Sequence, residues 1–260
     1  MRISFYKYQG TGNDFVIIDN REGTIHLTEE QVHFICDRRF GIGGDGLMLL
    51  NRLEGYDFEM IYYNSDGKPG TMCGNGGRCL TKFANDQGIK KTAYKFVASD
   101  GEHLAEMGKS GWINLKMKDV DTINLFHGDY ILDTGSPHFI KHVNHVDEID
   151  VVEEGRSIRY SKAFEEKGIN VNFVELNDKN IIVRTYERGV EDETYSCGTG
   201  VTASALIFAH NDNGFNRIEV QTKGGNLAVE FDKMSDTEFK NIWLCGPAEF
   251  VFKGEVLLEE

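Results

Sequence analysis

Two cysteines in this 260-residue chain share one local pattern, and that pattern suits a thiol for proton transfer. The first lies in Thr71–Cys79, which reads Thr-Met-Cys-Gly-Asn-Gly-Gly-Arg-Cys. The second lies in Ser196–Val201, which reads Ser-Cys-Gly-Thr-Gly-Val, so both contain Cys-Gly-x-Gly. An apolar helical pattern follows each cysteine and predicts a helix that starts there. Unpaired backbone N–H groups and the helix dipole stabilise a thiolate at such a position.

Two thiols that face one carbon can invert it, because one removes a proton and the other returns a proton to the opposite face. The α-proton of an amino acid is far less acidic than a thiol, so the developing charge needs stabilisation. We find no convincing motif or lysine context for a nicotinamide, flavin or pyridoxal cofactor. Backbone N–H groups at the two helix starts offer another source of stabilisation, since they can converge on a substrate carboxylate. These groups belong to Gly74, Asn75, Gly198 and Thr199.

The spacing of the two cysteines recurs elsewhere in the chain. Cys197 lies 124 residues after Cys73 (197 − 73). Three further matches share this offset to within one residue: Gly12–Val16 with Gly135–Ile140, Gly46-Leu47 with Asn170-Val171, and Asp100-Gly101 with Gly224-Gly225. With 29 glycines in the chain, one such match could arise by chance, but chance does not explain four matches that share the same offset. The chain is therefore predicted to be an internal duplication, with two similar lobes facing a cleft that holds the active site.

The first lobe is predicted to combine strands with two helices. A capping-box sequence at Thr28 starts a helix that we expect to run to Phe40 and to stop at Gly41. The helix after Cys73 ends near Gly88. The predicted strands are Ile3–Tyr8, Phe15–Asp19, Leu47–Leu50, Phe58–Tyr63, Tyr94–Ala98, Glu102–Met107 and Trp112–Met117, with turns at 64–67, 100–101 and 108–111.

The second lobe repeats this plan. A charged helical stretch covers Val146–Gly155, and another helix follows Cys197. The predicted strands are Tyr130–Asp133, Val171–Leu176, Ile181–Tyr186, Ile218–Thr222, Leu227–Phe231, Asn241–Cys245 and Glu249–Phe252. Mixed strands with one prominent helix per lobe predict an α+β fold. We place the N-terminal lobe at 1–122, joined by the last strand at 248–260, and the C-terminal lobe at 123–247.

Composition restricts the partners and the compartment. The formal charge of −14 argues against nucleic acid and an anionic membrane surface, whereas a small zwitterionic substrate carries no net charge to repel. No signal peptide is visible at the N-terminus, and the apolar runs are too short to span a bilayer. Five cysteines, an odd number, fit a reducing cytoplasm better than a disulfide framework. Nothing in the sequence fixes the oligomeric state, and a homodimer is left open.

Other roles for these motifs fit less well. Cys73 and Cys79 lack the Cys-x-x-Cys spacing and the second ligand pair of a zinc site, so no metal is expected. The glycine-rich stretch Gly41–Gly46 precedes a strand, which is the wrong context for a dinucleotide fingerprint. Cys36, Cys79 and Cys245 are expected to be buried small hydrophobic residues.

Five motifs in order along the whole chain closely resemble the diaminopimelate epimerase family. They are Gly-Thr-Gly-Asn-Asp-Phe at 10–15, Tyr-Asn-Ser-Asp-Gly at 63–67, Met-Cys-Gly-Asn-Gly-Gly-Arg-Cys at 72–79, Tyr-Glu-Arg-Gly at 186–189 and Ser-Cys-Gly-Thr-Gly at 196–200. The resemblance implies a cofactor-independent epimerase that interconverts LL- and meso-diaminopimelate, the step before lysine and peptidoglycan precursors. It also implies that each lobe is a set of strands curled around a central helix.

The resemblance assigns roles to individual residues. Cys73 and Cys197 would be the acid/base pair, and His138 would line the pocket. Substrate contacts would come from Asn13, Asn64, Gly74, Asn75, Asn170, Glu187, Arg188, Gly198 and Thr199. One position departs from the family pattern, because Ser136 stands where Asn is usual in Gly-Asn-Pro-His. Its shorter side chain lacks the two amide donors, which leaves open how the distal stereocentre is recognised.

Two other functions compete with this one. A proline racemase or hydroxyproline epimerase relative would share the two-thiol chemistry, but Arg188 and the several asparagines favour a longer substrate with a second zwitterionic end. A non-enzymatic thiol protein, such as a redox sensor, would use Cys73 and Cys197 but would not explain the surrounding polar residues. Glu187 and Arg188 could alternatively form an ordinary surface ion pair.

Overall fold

The computed structural model describes residues 1–108, 111–178 and 180–258. Its helices are α1 (Glu29–Cys36), α2 (Gly74–Asp86), α3 (Val151–Arg159) and α4 (Gly198–Ile207), with a short 3₁₀ helix at Val146–Glu148. The strands of the first half are β1 (Arg2–Gly10), β2 (Asn13–Asp19), β3 (Gly46–Asn51), β4 (Phe58–Asn64), β5 (Ala93–Ala98), β6 (Gly101–Met107) and β7 (Ile113–Lys116). Those that follow are β8 (Ile123–Phe126), β9 (Asp129–Asp133), β10 (Pro137–His142), β11 (Asn170–Asn177), β12 (Asn180–Glu187), β13 (Asp192–Thr194), β14 (Gly214–Thr222), β15 (Gly225–Lys233), β16 (Phe239–Gly246) and β17 (Glu249–Leu257).

The chain divides into two compact units. Unit 1 contains Met1–Leu115 and Pro247–Glu260, and unit 2 contains Lys116–Gly246. The chain returns to unit 1 through β17, which pairs antiparallel with β1 from Arg2 opposite Leu257 onward. Among the described residues, no helix has both the length and the apolar character needed to cross a bilayer.

Each unit follows the same order of strand pairing. In unit 1, β1–β2 is antiparallel, β2–β3 parallel, β3–β4 antiparallel, β4–β5 parallel, and β5–β6 and β6–β7 antiparallel. In unit 2, β9–β10 is antiparallel, β10–β11 parallel, β11–β12 antiparallel, β12–β14 parallel, and β14–β15 and β15–β16 antiparallel. The predicted α+β fold with mixed sheets is confirmed.

The register of the strands confirms the duplication residue by residue. Phe15 lies opposite Gly46 and His138 lies opposite Asn170, at offsets of 123 (138 − 15) and 124 (170 − 46). Further along, Phe58 pairs with Phe96 as Ile181 pairs with Val220, at offsets of 123 (181 − 58) and 124 (220 − 96). These offsets are those found between the sequence motifs. The two units therefore derive from one pairing scheme, and their cysteines occupy equivalent positions in it.

The helices that follow the two cysteines are enclosed by strands of their own units. Helix α2 packs against β1, β2, β3, β4 and β17, and α4 packs against β9 to β12 and β14 to β16. Phe83 of α2 contacts the rings of Tyr6 and Tyr8, at centroid distances of 5.0 and 5.7 Å. In α4, Thr202 and Ser204 are buried but donate to the carbonyls four residues earlier. Most buried positions of the two helices accordingly carry small or apolar side chains.

Helix α1 begins as predicted but ends earlier. Thr28 accepts from the backbone N–H of Gln31 at 3.2 Å, and the Gln31 side chain accepts from the Thr28 N–H at 3.1 Å. The predicted end at Phe40 is wrong, because the helix stops at Cys36. The Asp37 carboxylate accepts the backbone N–H groups of Arg39 and Phe40, each at 2.7 Å. These bonds replace the next helical turn with a tight turn.

The charged stretch Val146–Gly155 was predicted as one helix and forms two. The 3₁₀ helix ends at Glu148, and α3 begins after Asp150, whose side chain accepts from the Glu153 N–H at 2.9 Å. An extended Asp150 that caps the second helix cannot also continue the first. Strands β8, β10 and β13 were not predicted. Residues 109 and 110 of the predicted turn at 108–111 lie outside the described residues.

The duplication supplies a matched pair of glycines that tests the packing of α2 and α4. A Cβ on Gly200 would lie 2.3 Å from Oδ1 of the buried Asn172, whereas one on Gly76 would meet flexible side-chain ends, Met48 Sδ at 3.2 Å and Met60 Cε at 3.4 Å. We expect Gly200→Ala to destabilise the protein by about 1–3 kcal/mol through overpacking. Gly76→Ala should be neutral or stabilising by up to about 1 kcal/mol, because alanine is the better helix former. Urea unfolding of both variants measures the difference, and equal midpoints would contradict the packing described here.

Candidate active site

Both predicted cysteines are the N-cap residues of their helices. Cys73 precedes α2 with extended backbone (φ −102°, ψ 129°), and Cys197 precedes α4 in the same way (φ −110°, ψ 111°). The first helical hydrogen bonds run from Gly77 N to Cys73 O at 2.7 Å and from Val201 N to Cys197 O at 2.8 Å. Neither thiol makes a capping hydrogen bond, in contrast to Thr28 of α1 and Asp150 of α3. The N-cap side chains therefore leave the N–H groups of both helix starts to other acceptors, which is the arrangement of an anion site.

In unit 1, an amide network surrounds the thiol of Cys73. The Asn13 Oδ1 atom lies 3.6 Å from Cys73 Sγ and accepts from Asn75 Nδ2 at 3.2 Å. The guanidinium of Arg78 donates to Asn75 Oδ1 at 3.0 Å and to Thr11 Oγ1 at 3.3 Å. Arg78 is fully buried in the helix that Cys73 begins. The network thus fixes two of the predicted substrate-contacting residues beside the thiol.

A cluster of charges holds Asn13 from the other side. Asn13 Nδ2 donates to Asp45 Oδ2 at 2.6 Å, and Arg38 pairs with Asp45 at 2.8 Å and with Asp14 at 2.6 Å. Lys7 also pairs with Asp14 at 2.6 Å and donates to the carbonyl of Gly43. Burial raises the pKa of Asp14, but hydrogen bonds from Arg38 and Lys7 outweigh it and hold that pKa below its ordinary value. Asp14 therefore stays ionised next to the site.

In unit 2, hydroxyl groups and a histidine surround the thiol of Cys197, which is 8% exposed. Thr199 Oγ1 lies 3.4 Å from Cys197 Sγ, 2.9 Å from His138 Nε2 and 3.1 Å from Ser136 Oγ. Ser136 Oγ is also 3.0 Å from His138 Nε2. The Thr134 hydroxyl donates to the Thr199 carbonyl at 2.8 Å and fastens the start of α4 to the end of β9.

Two asparagines of β11 orient this group. Asn172 Nδ2 lies 3.0 Å from His138 Nδ1 and donates to the carbonyl of Phe139 at 3.2 Å. Its Oδ1 accepts from the Thr185 hydroxyl at 2.9 Å. Asn170 Nδ2 donates to Ser136 Oγ at 3.1 Å. Side chains two residues apart point to the same face of a strand, so both asparagines reach the region of His138.

Burial determines the charge of His138. The side chain is inaccessible to solvent, and desolvation, aided by the nearby Arg188 charge, lowers its pKa from 6.5 to about 3. His138 is therefore neutral at physiological pH. Because Asn172 Nδ2 donates to Nδ1, the ring carries its proton on Nε2, which faces Thr199 and Ser136.

The remaining predicted residues lie at the ends of strands. Asn64 is exposed at the end of β4, where its backbone N–H donates to Lys68 O at 2.9 Å, and Glu187 is the last residue of β12. The backbone N–H of Arg188 donates to Asn170 Oδ1 at 2.9 Å, and its exposed guanidinium donates to the carbonyl of Lys167 at 2.9 Å.

The residues that orient these side chains were not predicted from the sequence. Asp45, Arg78, Asn172, Thr185 and Thr134 were not singled out, although all of them lie in the two networks. A detectable signal existed in two places. Arg78 is a cation within the continuously buried first part of α2, and Asn172 repeats the polar type of Asn170 two residues along a buried strand.

Ser136, the departure from the family motif, has a defined place in this network. Its hydroxyl lies between Asn170 Nδ2, His138 Nε2 and Thr199 Oγ1, at distances of 3.0 to 3.1 Å. In this arrangement it acts as a link between Asn170 and Thr199. The short side chain thus contributes to the surroundings of Cys197.

The other cysteines are buried, as expected for structural residues. Burial raises the pKa of both Cys36 and Cys79 to about 12, so these thiols stay protonated. Cys245 is buried in β16. Among the described residues, no group of three or more His, Cys, Asp or Glu side chains is placed to hold a metal ion.

The neutral state of His138 predicts a specific dependence of stability on pH. Its pKa is about 3 in the folded state and about 6.5 when unfolded, so only the unfolded chain gains this proton between those values. The contribution of neutral His138 to the free energy of unfolding is fully present above pH 6.5. It is lost as the pH falls below that value, by up to about 1.4 kcal/mol per pH unit. We expect urea unfolding between about pH 7 and 5 to show a shallower pH dependence for His138→Gln than for the parent. The same change at the exposed His26 serves as the control, and identical profiles for the parent and His138→Gln would contradict a neutral buried histidine.

Comparisons with known proteins identify the family. The model of the family "Diaminopimelate epimerase" matches residues 5–122 and 130–251. A diaminopimelate epimerase from Flavobacterium psychrophilum is 47% identical over 258 residues, covering 96% of this chain and 99% of the relative.

Solved structures show the same fold at lower identity. A phenazine biosynthesis protein of the PhzF family from Bacillus anthracis is 17% identical, with a TM-score of 0.77 over 99% of this chain and 100% of the other. A probable proline racemase from Agrobacterium radiobacter is 13% identical, with a TM-score of 0.68 over 99% of this chain and 93% of the other. At such identities the likeness concerns the fold alone, whereas the family model and the sequence relative cover nearly the whole chain. The chain belongs to the diaminopimelate epimerase family, a family of isomerases.

Proposed function

We propose that this protein interconverts LL- and meso-diaminopimelate by proton transfer at the α-carbon, with Cys73 and Cys197 as the two acid/base groups. The observation that carries the proposal is the equivalent position of the two thiols, each the N-cap of a buried helix that it does not cap. The sequence relative of nearly full length is itself a diaminopimelate epimerase, which supports this substrate.

The chemistry follows from what each helix start supplies. One thiolate takes the α-proton while the other thiol delivers a proton to the opposite face, so the stereocentre inverts. Negative charge grows on the α-carboxylate during this step. Backbone N–H groups aimed at such a charge are worth about 3 kcal/mol each in known enzymes. We propose that Gly74, Asn75, Gly198 and Thr199 supply these donors and that no cofactor or metal is required.

The distal end of the substrate requires its own contacts. We propose that Asn13, Asn64, Asn170, Glu187 and Arg188 bind the polar groups of the substrate and that His138 lines the pocket. Arg188 is suited to a carboxylate because its planar fork forms two parallel hydrogen bonds. Its guanidinium is already held by the Lys167 carbonyl, and a Cβ at Gly168 would lie 2.6 Å from Arg188 Cδ. The absence of a side chain at Gly168 therefore leaves room for this position of the arginine.

The biological setting is part of the proposal. The negative net charge disfavours nucleic acid and anionic membranes as partners, and a small zwitterionic substrate is unaffected by it. We propose a cytoplasmic enzyme that supplies precursors for lysine and peptidoglycan. Sedimentation of the purified protein would establish whether it is a homodimer.

The two-cysteine mechanism makes a direct prediction. After dialysis against a chelator, the parent should epimerise LL-diaminopimelate in deuterated water and incorporate deuterium at the α-position. Cys73→Ala and Cys197→Ala should each lower kcat by at least about a hundredfold, the scale of a lost general acid or base. Cys79→Ala, in the same helix as Cys73, should retain activity and serves as the control. An obligatory requirement for pyridoxal phosphate or a divalent ion, or activity that persists in either active-site variant, would refute the mechanism.

The assignment of Arg188 is tested by a conservative change. Arg188→Lys keeps the charge but removes the bidentate geometry, so we expect a loss of about 2 kcal/mol, or roughly 30-fold in kcat/KM. Arg39→Lys changes an exposed arginine in the turn after α1 and should leave kcat/KM unaltered. If Arg188→Lys stays within about twofold of the parent, Arg188 is an ordinary surface residue.

A further inference from the structure

The two cysteines face hydrogen-bonding groups of opposite kind. Each network ends at groups that can only donate or can only accept a hydrogen bond. Guanidinium and backbone N–H groups can only donate, whereas carbonyl and carboxylate oxygens can only accept. Such groups fix the orientation of every amide and hydroxyl between them and the sulfur.

In unit 1, the atom that faces Cys73 is an acceptor. Arg78 donates to Asn75 Oδ1, so the other end of that amide is the nitrogen, which donates to Asn13 Oδ1. Independently, the opposite end of the Asn13 amide donates to the Asp45 carboxylate at 2.6 Å. Both constraints place the oxygen of Asn13 at 3.6 Å from Cys73 Sγ. This contact is a hydrogen bond only when the sulfur carries a proton.

In unit 2, the tautomer of His138 is fixed first. The Asn172 amide nitrogen is identified by its donation to the Phe139 carbonyl, and the Asn172 oxygen accepts from Thr185. The same nitrogen therefore donates to His138 Nδ1. The neutral ring consequently bears its hydrogen on Nε2.

The orientation of Ser136 is fixed from Asn170. The Asn170 oxygen accepts from the backbone N–H of Arg188, and its nitrogen donates to the carbonyl of Pro137 and to Ser136 Oγ. Ser136 cannot donate to His138 Nε2, which already carries a hydrogen. Its own hydrogen is therefore directed to Thr199 Oγ1, at 3.1 Å.

The hydroxyl of Thr199 is then left with one direction in which to donate. It accepts from Ser136 and faces the N–H of His138 at 2.9 Å. Among the contacts that the described residues make with this hydroxyl, the remaining one is Cys197 Sγ at 3.4 Å. A hydroxyl that donates to sulfur favours the thiolate.

We propose that the free enzyme rests with Cys197 as the thiolate and Cys73 as the thiol, and that Asn172 and Asp45 are the positioning residues that set this difference. The inference rests on the two-cysteine function proposed above and specifies its starting state. Both sulfurs lie at helix starts, so the dipole contributes at each of them. They differ in the side-chain contacts described above, an amide oxygen at Cys73 and a hydroxyl at Cys197. The charged members of the network at Cys73 are Lys7, Asp14, Arg38, Asp45 and Arg78. At Cys197 the counterparts are the neutral His138 and the nearby Arg188.

The proton balance follows from this state. The α-carbon–hydrogen bond breaks as an S–H bond forms at Cys197, and the S–H bond of Cys73 breaks as a new bond to hydrogen forms on the opposite face. The products are the inverted substrate, a thiol at Cys197 and a thiolate at Cys73. One proton must then return from Cys197 to Cys73 through solvent before a second turnover in the same direction. No oxidant, reductant or further reactant is needed.

Alkylation of the substrate-free parent tests the assignment. The protein is treated with iodoacetamide at a series of pH values, and the labelling of each cysteine peptide is followed by mass spectrometry. The midpoint of each pH profile is compared, because the absolute rate also depends on burial. We expect the midpoint of Cys197 to lie at least about one pH unit below that of Cys73, which is a tenfold difference in thiolate fraction. Equal or reversed midpoints would overturn the proposal.

Variants test the origin of the difference. Thr199→Val removes the hydroxyl and should raise the Cys197 midpoint by about one pH unit, whereas Thr199→Ser keeps the donor and should restore the parent profile. Asn172→Leu should also raise this midpoint, because His138 loses its fixed tautomer. Asn13→Ala removes the acceptor at Cys73 and should lower the Cys73 midpoint alone. An unchanged Cys197 midpoint in folded Thr199→Val would refute the role of the hydroxyl, and the comparison within the parent decides the matter if a variant does not fold.

The experiment separates this inference from the proposed function. Labelling requires no substrate, so it reports the resting protonation even if the protein has no epimerase activity. Conversely, if the enzyme is active but the midpoints are reversed, the proposed two-cysteine function stands and the proposed resting protonation is wrong.

Discussion

The structure depends on two helix starts that are buried without a side-chain cap. An N-cap Ser, Thr, Asp or Asn would satisfy one of the first-turn N–H groups, as Thr28 and Asp150 do in the other two α-helices. Cysteine caps poorly, so these helix starts keep donors for another acceptor. The uncapped N–H groups lower the stability of the two helices. Packing offsets this loss, because strands of the same unit enclose α2 and α4 and bury their apolar faces. The remainder of each unit can be understood as the scaffold that holds one such helix start in place.

Much of this arrangement was predictable from the sequence because it depends on backbone geometry. The repeated Cys-Gly-x-Gly pattern and the constant offset predicted equivalent helix starts, and the register of β2 on β3 and of β10 on β11 confirms that offset. Glycine at these positions is a strong signal. At Gly200 a side chain would overlap Asn172, so the close packing requires glycine and the requirement is visible in the sequence.

The orienting side chains were harder to predict because their role depends on contacts distant in sequence. Asp45 reaches Asn13 across 32 positions, and Asn172 reaches His138 across 34. A polar residue in a buried strand shows only that a partner exists, not which one. The early end of α1 had a local cause, but Asp37 competes with helix formation only when its side chain turns back onto Arg39 and Phe40. Periodicity alone therefore extended the helix too far.

The duplication gives the two units a common backbone, and chemistry depends on where their side chains have diverged. Asn75 and Thr199 stand at equivalent positions, two residues after each cysteine, as do Asn13 and Ser136 at the preceding turn. In unit 1 the pair of asparagines directs an amide oxygen to the sulfur, whereas in unit 2 the pair of hydroxyls places Thr199 Oγ1 beside it. Inversion by two thiols needs one proton on the pair at the outset, so two identical surroundings would leave that proton without a preferred site. Symmetry of the backbone supplies two equivalent helix starts, and loss of symmetry in the side chains gives the two sulfurs different hydrogen-bonding neighbours, which is the difference that the proposed mechanism uses.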